Sequence, residues 1–162
     1  AGGNHSVFVT EQGMLLTCGR NDWGQLGLGE FAEKKQHGAV PVMAMSKCDI
    51  RMVVCGASHT LCVTHDGPVW GWGRNDCFQL GIFGAKKESV ASPREVDALK
   101  GRHVLQVVSN EHTMAVCEDY EVVTFGLNNK GQRGLGGTAE VNRAEAPDWV
   151  TRGVRLDVFC GA

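Results

Sequence analysis

Apolar and polar positions along this chain fall into short runs separated by turn residues, with no stripe of helical period. Three of the runs each follow a histidine: SVFVT at 6–10, TLCVT at 60–64 and TMAVC at 113–117. Each is too short for a typical helix and carries the branched residues that strands favour, so each predicts a strand. The segments EQG, HDG and EDY then lead into MLLTCG, PVWGWG and EVVTFG, which is the punctuation of a hairpin. A third strand is expected around a later proline, in VPVMAM and PREVDAL, with the missing N–H placed at an edge. A fourth is expected in DIRMVVCGA, HVLQVVSN and VRLDVFCGA.

These strands recur because the text recurs. His5, His59 and His112 are spaced by 54 and 53 residues, and Gly19, Gly73 and Gly126 keep the same spacings. Pro41, Pro93 and Pro147 follow at 52 and 54. Between glycine and proline stands a signature, CGRNDWGQLGLG from Cys18, GRNDCFQLGIFG from Gly73 and GLNNKGQRGLGG from Gly126. Three anchors drifting together imply internal duplication, and four short antiparallel strands per unit predict blades of a β-propeller. Glycine, 22 of 162 residues, is about twice its usual share of ~7%. The excess belongs to the signature, where tight turns call for positive φ. His5, Gly19, Gly27, His59, Gly73, Gly81, His112, Gly126 and Gly134 are therefore expected to be structural repeat residues. Three positions depart from the pattern: Phe78 stands where the sister copies have Gly24 and Gly131, Arg133 where they have Leu26 and Leu80, and Tyr120 where they have Gly13 and Gly67.

The signature, together with the SHTLCVT-type phrase before it, resembles the regulator of chromosome condensation repeat, and the resemblance covers the whole chain. It implies an all-β fold, a partial β-propeller of three four-stranded antiparallel blades, within a ring that has seven blades in most full-length members. The units are expected at about 1–54, 55–107 and 108–162, permuted relative to the blade boundaries, as a fragment of a larger domain. The remaining blades of the same chain, or a second copy, would complete the ring.

Charge and chemistry narrow the function. The net charge of −2 gives no electrostatic footprint for nucleic acid and no polybasic cluster for a membrane surface. Seven cysteines without a C-x-x-C pair read as reduced thiols, which points to an intracellular, cytoplasmic or nuclear, setting. No P-loop, nucleophile elbow or zinc motif occurs, so no cofactor, metal or catalytic residue is expected, and the chain is expected not to be an enzyme. Three equivalent histidines each serve their own blade better than a shared metal, most simply by bonding neighbouring backbone. Trp70 and Trp72 lie two apart on one strand and are expected to anchor packing between blades.

What remains is binding of protein partners by loops on a rigid scaffold. The candidate contacts are Asp22, Trp23, Phe31, Lys34, Lys35, Asp76, Lys86, Lys87 and Arg143. The expectation is a non-catalytic interaction or scaffolding module. The alternative, implied by the resemblance, is a guanine-nucleotide exchange factor for a Ran-like small GTPase, with Asp22 and Asp76 as candidate acids.

Overall fold

A computed structural model describes residues 1–30, 32–84, 88–118, 121–138 and 147. It is all-β, with three antiparallel sheets stacked side by side as successive propeller blades. The first sheet holds β1 (His5–Val9), β2 (Leu15–Arg20) and β3 (Lys35–Pro41). The second is a complete four-stranded blade of β4 (Ile50–Cys55), β5 (His59–Thr64), β6 (Val69–Arg74) and β7 (Ser89–Glu95), paired in that order. The third contains β8 (Val104–Ser109), β9 (His112–Cys117) and β10 (Val122–Gly126). The expected strand in VRLDVFCGA lies outside the described residues.

One expectation about the strands is corrected. The third strand was placed on the apolar text around each proline, VPVMAM and PREVDAL. The observed strands lie mostly before it, in the more polar KQHGAVP and SVASPRE, while Met43–Met45 and Asp97–Leu99 form 3-10 turns. The physical reason is that the outer strand of a blade buries little, so it needs no apolar alternation. After it, the Val42 and Val96 N–H groups close on the Leu15 and Val69 carbonyls at 2.9 and 2.8 Å. Met45 and Leu99 can then fold under the blade and be buried. Pro93 sits within the outer strand β7, where a missing donor is tolerated.

The core lies between sheets. Leu15, Val42, Met45, Cys62 and Trp72 pack the first sheet against the second, with Trp70 beside them. A larger cluster that includes Leu61, Leu80, Val107, Ala115 and Phe125 joins the second sheet to the third. The glycine repeats serve this stacking. At Gly27 (φ +71°) a Cβ would stand 2.9 Å from the Trp72 indole nitrogen, and at Gly81 (φ +61°) 2.9 Å from the Phe125 ring. At each junction a glycine therefore gives up its side chain to make room for an aromatic ring of the next blade.

Candidate functional site

The signature loops leave β2, β6 and β10 at the same end of the blades, and each is built alike from its own sequence. The buried asparagine of each copy closes its loop. The Oδ1 atoms of Asn21, Asn75 and Asn128 accept the N–H groups of Leu26, Leu80 and Arg133 at 3.0, 3.1 and 3.1 Å. Their amide groups donate to the carbonyls of Glu33, Ile82 and Gly137. The glutamine four residues on holds the turn, as Gln25, Gln79 and Gln132 accept the N–H of Trp23, Cys77 and Lys130. The side chains at the two positions after each asparagine are left partly or fully exposed, while Leu26, Leu80 and Arg133 are buried.

Neighbouring blades are tied by hydroxyl relays. His5 Nε2 lies 2.8 Å from Thr60 Oγ1 in the next blade, and Thr60 donates to the Gln25 carbonyl at 3.0 Å. The hydroxyl has one proton, already given to that carbonyl, so His5 is the donor and carries its proton on Nε2. At the second junction His59 Nε2 meets Ser109 Oγ at 2.6 Å, Ser109 meets Thr113 Oγ1 at 2.8 Å, and Thr113 donates to the Gln79 carbonyl at 2.7 Å. The Trp72 indole N–H adds a bond to the Gln25 carbonyl at 3.0 Å. These histidines were expected to bond neighbouring backbone with the following Ser6, Thr60 or Thr113 helping; His5 and His59 instead reach a hydroxyl of the following blade, Thr60 and Ser109. Burial lowers the pKa of His5 to about 4 and that of His59 to about 3, the latter helped by the positive charges of His5 and Arg74. Both rings are neutral at pH 7. Among the described residues no three His, Cys, Asp or Glu side chains gather as a metal ion would need.

The outward side chains form paired charges. Asp22 is ion-paired with Arg20, and the Asp76 carboxylate lies 2.6 Å from the Arg74 guanidinium. The Arg20 bond holds the Asp22 carboxyl below the usual carboxylate range. Asp76 is lowered as well, its burial outweighed by bonds from Arg74 and Gln79. Arg74 also lies over the Trp23 ring, 5.2 Å from its centroid, so it links the two signature loops. Asp22, Trp23 and Lys34 line one cavity of about 240 Å³, together with Glu30 of the same loop and Ser89 and Ala91 of β7. Lys35 is exposed at the start of β3, opposite Arg20. Phe31, Lys86, Lys87 and Arg143 lie outside the described residues.

Sequence reasoning missed Arg20, Arg74 and the β7 wall. The two arginines had a signal, because the text GRND occurs twice with opposite charges two residues apart. The β7 wall had none, since it comes from the adjacent blade.

The family model for the regulator of chromosome condensation (RCC1) repeat matches residues 12–63 and 66–116, and a second model of the same repeat matches 50–79. The chain belongs to this repeat family. It is 34% identical over 142 residues to the probable E3 ubiquitin-protein ligase HERC6 of Homo sapiens, covering 84% of this chain and 13% of that protein. It is 33% identical over 134 residues to the secretion-regulating guanine nucleotide exchange factor of Bos taurus, covering 82% of this chain and 28% of the relative. Among solved structures, Prp20p from Saccharomyces cerevisiae superposes with a TM-score of 0.81 at 21% identity, over 94% of this chain and 37% of that one. That match shows the shared fold. The chain thus spans less than a third of the length of each of these curated relatives.

One expectation is overturned here. The absence of a nucleophile, metal set or acid–base pair suggested that the chain is not an enzyme. A relative at 33% identity is itself named a guanine nucleotide exchange factor. Such a factor accelerates a reaction through binding alone, so missing covalent machinery excludes nothing. The Prp20p structure is described together with that protein's binding to Gsp1p and histones. The cysteines of the described residues are free.

Proposed function

We propose that this chain supplies three blades of a protein-binding propeller that promotes guanine-nucleotide exchange on a Ran-like small GTPase. The observation that carries the reading is the pair of oriented carboxylates, Asp22 and Asp76, each fixed by an arginine two residues earlier in equivalent loops of adjacent blades. The similarity to an exchange factor over 82% of the chain supports it. Exchange asks for no bond to be made or broken within the protein. It asks for a surface that binds the nucleotide-free GTPase more tightly than the loaded one, since a partner shifts an equilibrium only by its differential affinity. Loops locked at both ends by buried asparagines can present that surface without reorganising on contact. Asp22 and Asp76 would engage polar or basic groups of the GTPase, while the inward-facing histidines only hold the blades together.

Release of a fluorescent GDP analogue from a Ran-like GTPase tests the proposal. The protein should accelerate release, and the double variant Asp22→Asn, Asp76→Asn should lose at least about tenfold of that acceleration, the equivalent of ~1.4 kcal/mol. Tight binding of the GTPase with no change in release rate would refute exchange.

A further inference from the structure

The junction hydroxyls of Thr60, Ser109 and Thr113 are spent on the relays between blades, whereas Ser92 is exposed on β7, the edge strand of the second sheet. That strand pairs with β6 at both of its ends but not in its middle. Gly71 faces Arg94 and Gly73 faces Val90, so Ala91, Ser92 and Pro93 together stand against the single residue Trp72. The strand bulges there, and Ser92 is the centre of the bulge. The Gly29 N–H holds the Ala91 carbonyl at 3.0 Å, which fixes one shoulder of the bulge to the first signature loop.

The repeat does not require a hydroxyl at this position. In the first sheet Thr17 faces Val40 and Gly19 faces Gln36, so His37, Gly38 and Ala39 form the same bulge. By this register Ser92 takes the place of Gly38 and Pro93 that of Ala39. Glycine and alanine therefore suffice for the geometry, and a bulge on an outer strand tolerates a proline without calling for one. What the second blade adds is an exposed serine followed at once by proline, on extended backbone at the rim of the blade.

That combination suits one kind of enzyme. A protein kinase acting on serine must grip a few residues of extended chain and reach the hydroxyl. Pro93 fixes its own φ and has no N–H, so a groove that is apolar just past the acceptor takes Ser-Pro and discriminates against a residue whose N–H it leaves unpaired. Arg94, the next residue, is exposed as well. From this geometry we infer that Ser92 is a phosphorylation site for a proline-directed protein kinase. In the reaction Ser92 Oγ attacks the γ-phosphorus of magnesium-bound ATP, and the bond to the β-phosphate oxygen breaks to release ADP. The hydroxyl proton passes to the base of the kinase and on to solvent. The product carries a charge of about −2 at pH 7. It would stand at the foot of the first signature loop, since a Cβ built on Gly29 lies 3.9 Å from Ser92 Oγ.

The full folded chain and a synthetic peptide of residues 86–97 are each incubated with a mitogen-activated protein kinase and magnesium-ATP. Incorporation is followed by intact mass, and the site is read by fragmentation of the tryptic peptide Glu88–Arg94, which also holds Ser89. The folded chain should gain one phosphoryl group, located on Ser92. Ser92→Ala should abolish it, with an unchanged urea midpoint, and Pro93→Ala should lower kcat/KM by at least about tenfold. Modification of the peptide but not of the folded chain would show that the blade withholds the serine, and would overturn the inference. So would modification of neither, or a phosphoryl group that survives in Ser92→Ala. None of these outcomes depends on GDP release, so the exchange reading stands or falls separately.

Discussion

Lowering the pH from 7 to 5 should weaken the junction between the second and third blades through His59. The ring is 1% exposed, its Nε2 is committed to Ser109, and burial lowers its pKa from 6.5 to about 3. The folded state resists the proton that the unfolded chain takes up freely near pH 6.5. Stability from this source is therefore complete above the unfolded value and is lost as pH falls from 6.5 towards 3. Each unit of pH in that window costs ~1.4 kcal/mol, so the drop at pH 5 is about 2 kcal/mol for His59. His5, lowered to about 4, should add a loss of similar order over the same interval. The carboxylates whose pKa is lowered from 3.8, such as Asp22 and Asp76, lose their contribution only below that value, outside the pH 7 to 5 interval measured. Urea midpoints measured at pH 7 and pH 5 give the total loss, and the same pair of measurements on His59→Gln gives the His59 share. The variant should be less stable at pH 7 but should lose about 2 kcal/mol less on acidification. Equal stability of the wild type at the two pH values would refute the argument, and so would an unchanged pH step in the variant.

Two backbone predictions follow from glycine geometry. Gly73→Val should cost at least ~3 kcal/mol in urea unfolding, because φ is +105° and the new Cβ would stand 2.6 Å from the His59 Cα and 2.7 Å from the Ser58 carbonyl, neither able to move independently. Gly13→Ala, with φ +77° but nothing within 4 Å, should cost only ~1–2 kcal/mol, and an equal effect of the two would deny the close approach at Gly73. Phe78 sits at φ 59° where its sister copies use glycine. Relief of ~1–2 kcal/mol of strain, less ~0.5–1 kcal/mol for the greater chain entropy of glycine, gives Phe78→Gly a net gain of about 0.5–1 kcal/mol. A thermal midpoint lower than wild type would show that the phenylalanine ring contributes more packing than its backbone costs.

The blade architecture was legible because a duplicated sequence repeats its errors as well as its rules. His-Ser/Thr text, hairpin turn and positive-φ glycine recur in phase, so strands β1, β2, β5, β6, β9 and β10 all fall within a residue or two of the apolar runs that predict them. The outer strand was misplaced because apolarity marks burial, and in KQHGAVP almost nothing is buried. The strand is set by backbone pairing to β2, which composition does not record. The histidines were legible as blade-level structural residues but not as links to the next blade, since Thr60 stands 55 residues from His5. The candidate site was half visible for the same reason. Asp22, Trp23 and Lys34 share a loop and a cavity, but the wall that makes it a cavity belongs to β7.

A division of labour within the signature explains how one repeat can serve relatives as different as a ubiquitin ligase and an exchange factor. Asparagine, glutamine and glycine at the first, fifth and seventh positions from Asn21 are spent on the loop and on the adjoining blade: Asn21 and Gln25 are buried in bonds, and Gly27 faces Trp72. The second and third positions are at the surface and differ from copy to copy, while the sixth, Leu26, Leu80 or Arg133, is buried. Asp22 and Asp76 become Asn129, and Trp23 becomes Cys77 and then Lys130. A change at Gly27 would disturb a blade junction wherever it occurred in the ring. A change at Trp23 would alter the exposed face of one loop without touching the Gly27–Trp72 contact. On the proposed reading, partner choice would lie in the second and third residues of each signature and in the loop that follows, and among the described residues the first blade brings an acid, an indole and a cavity together there.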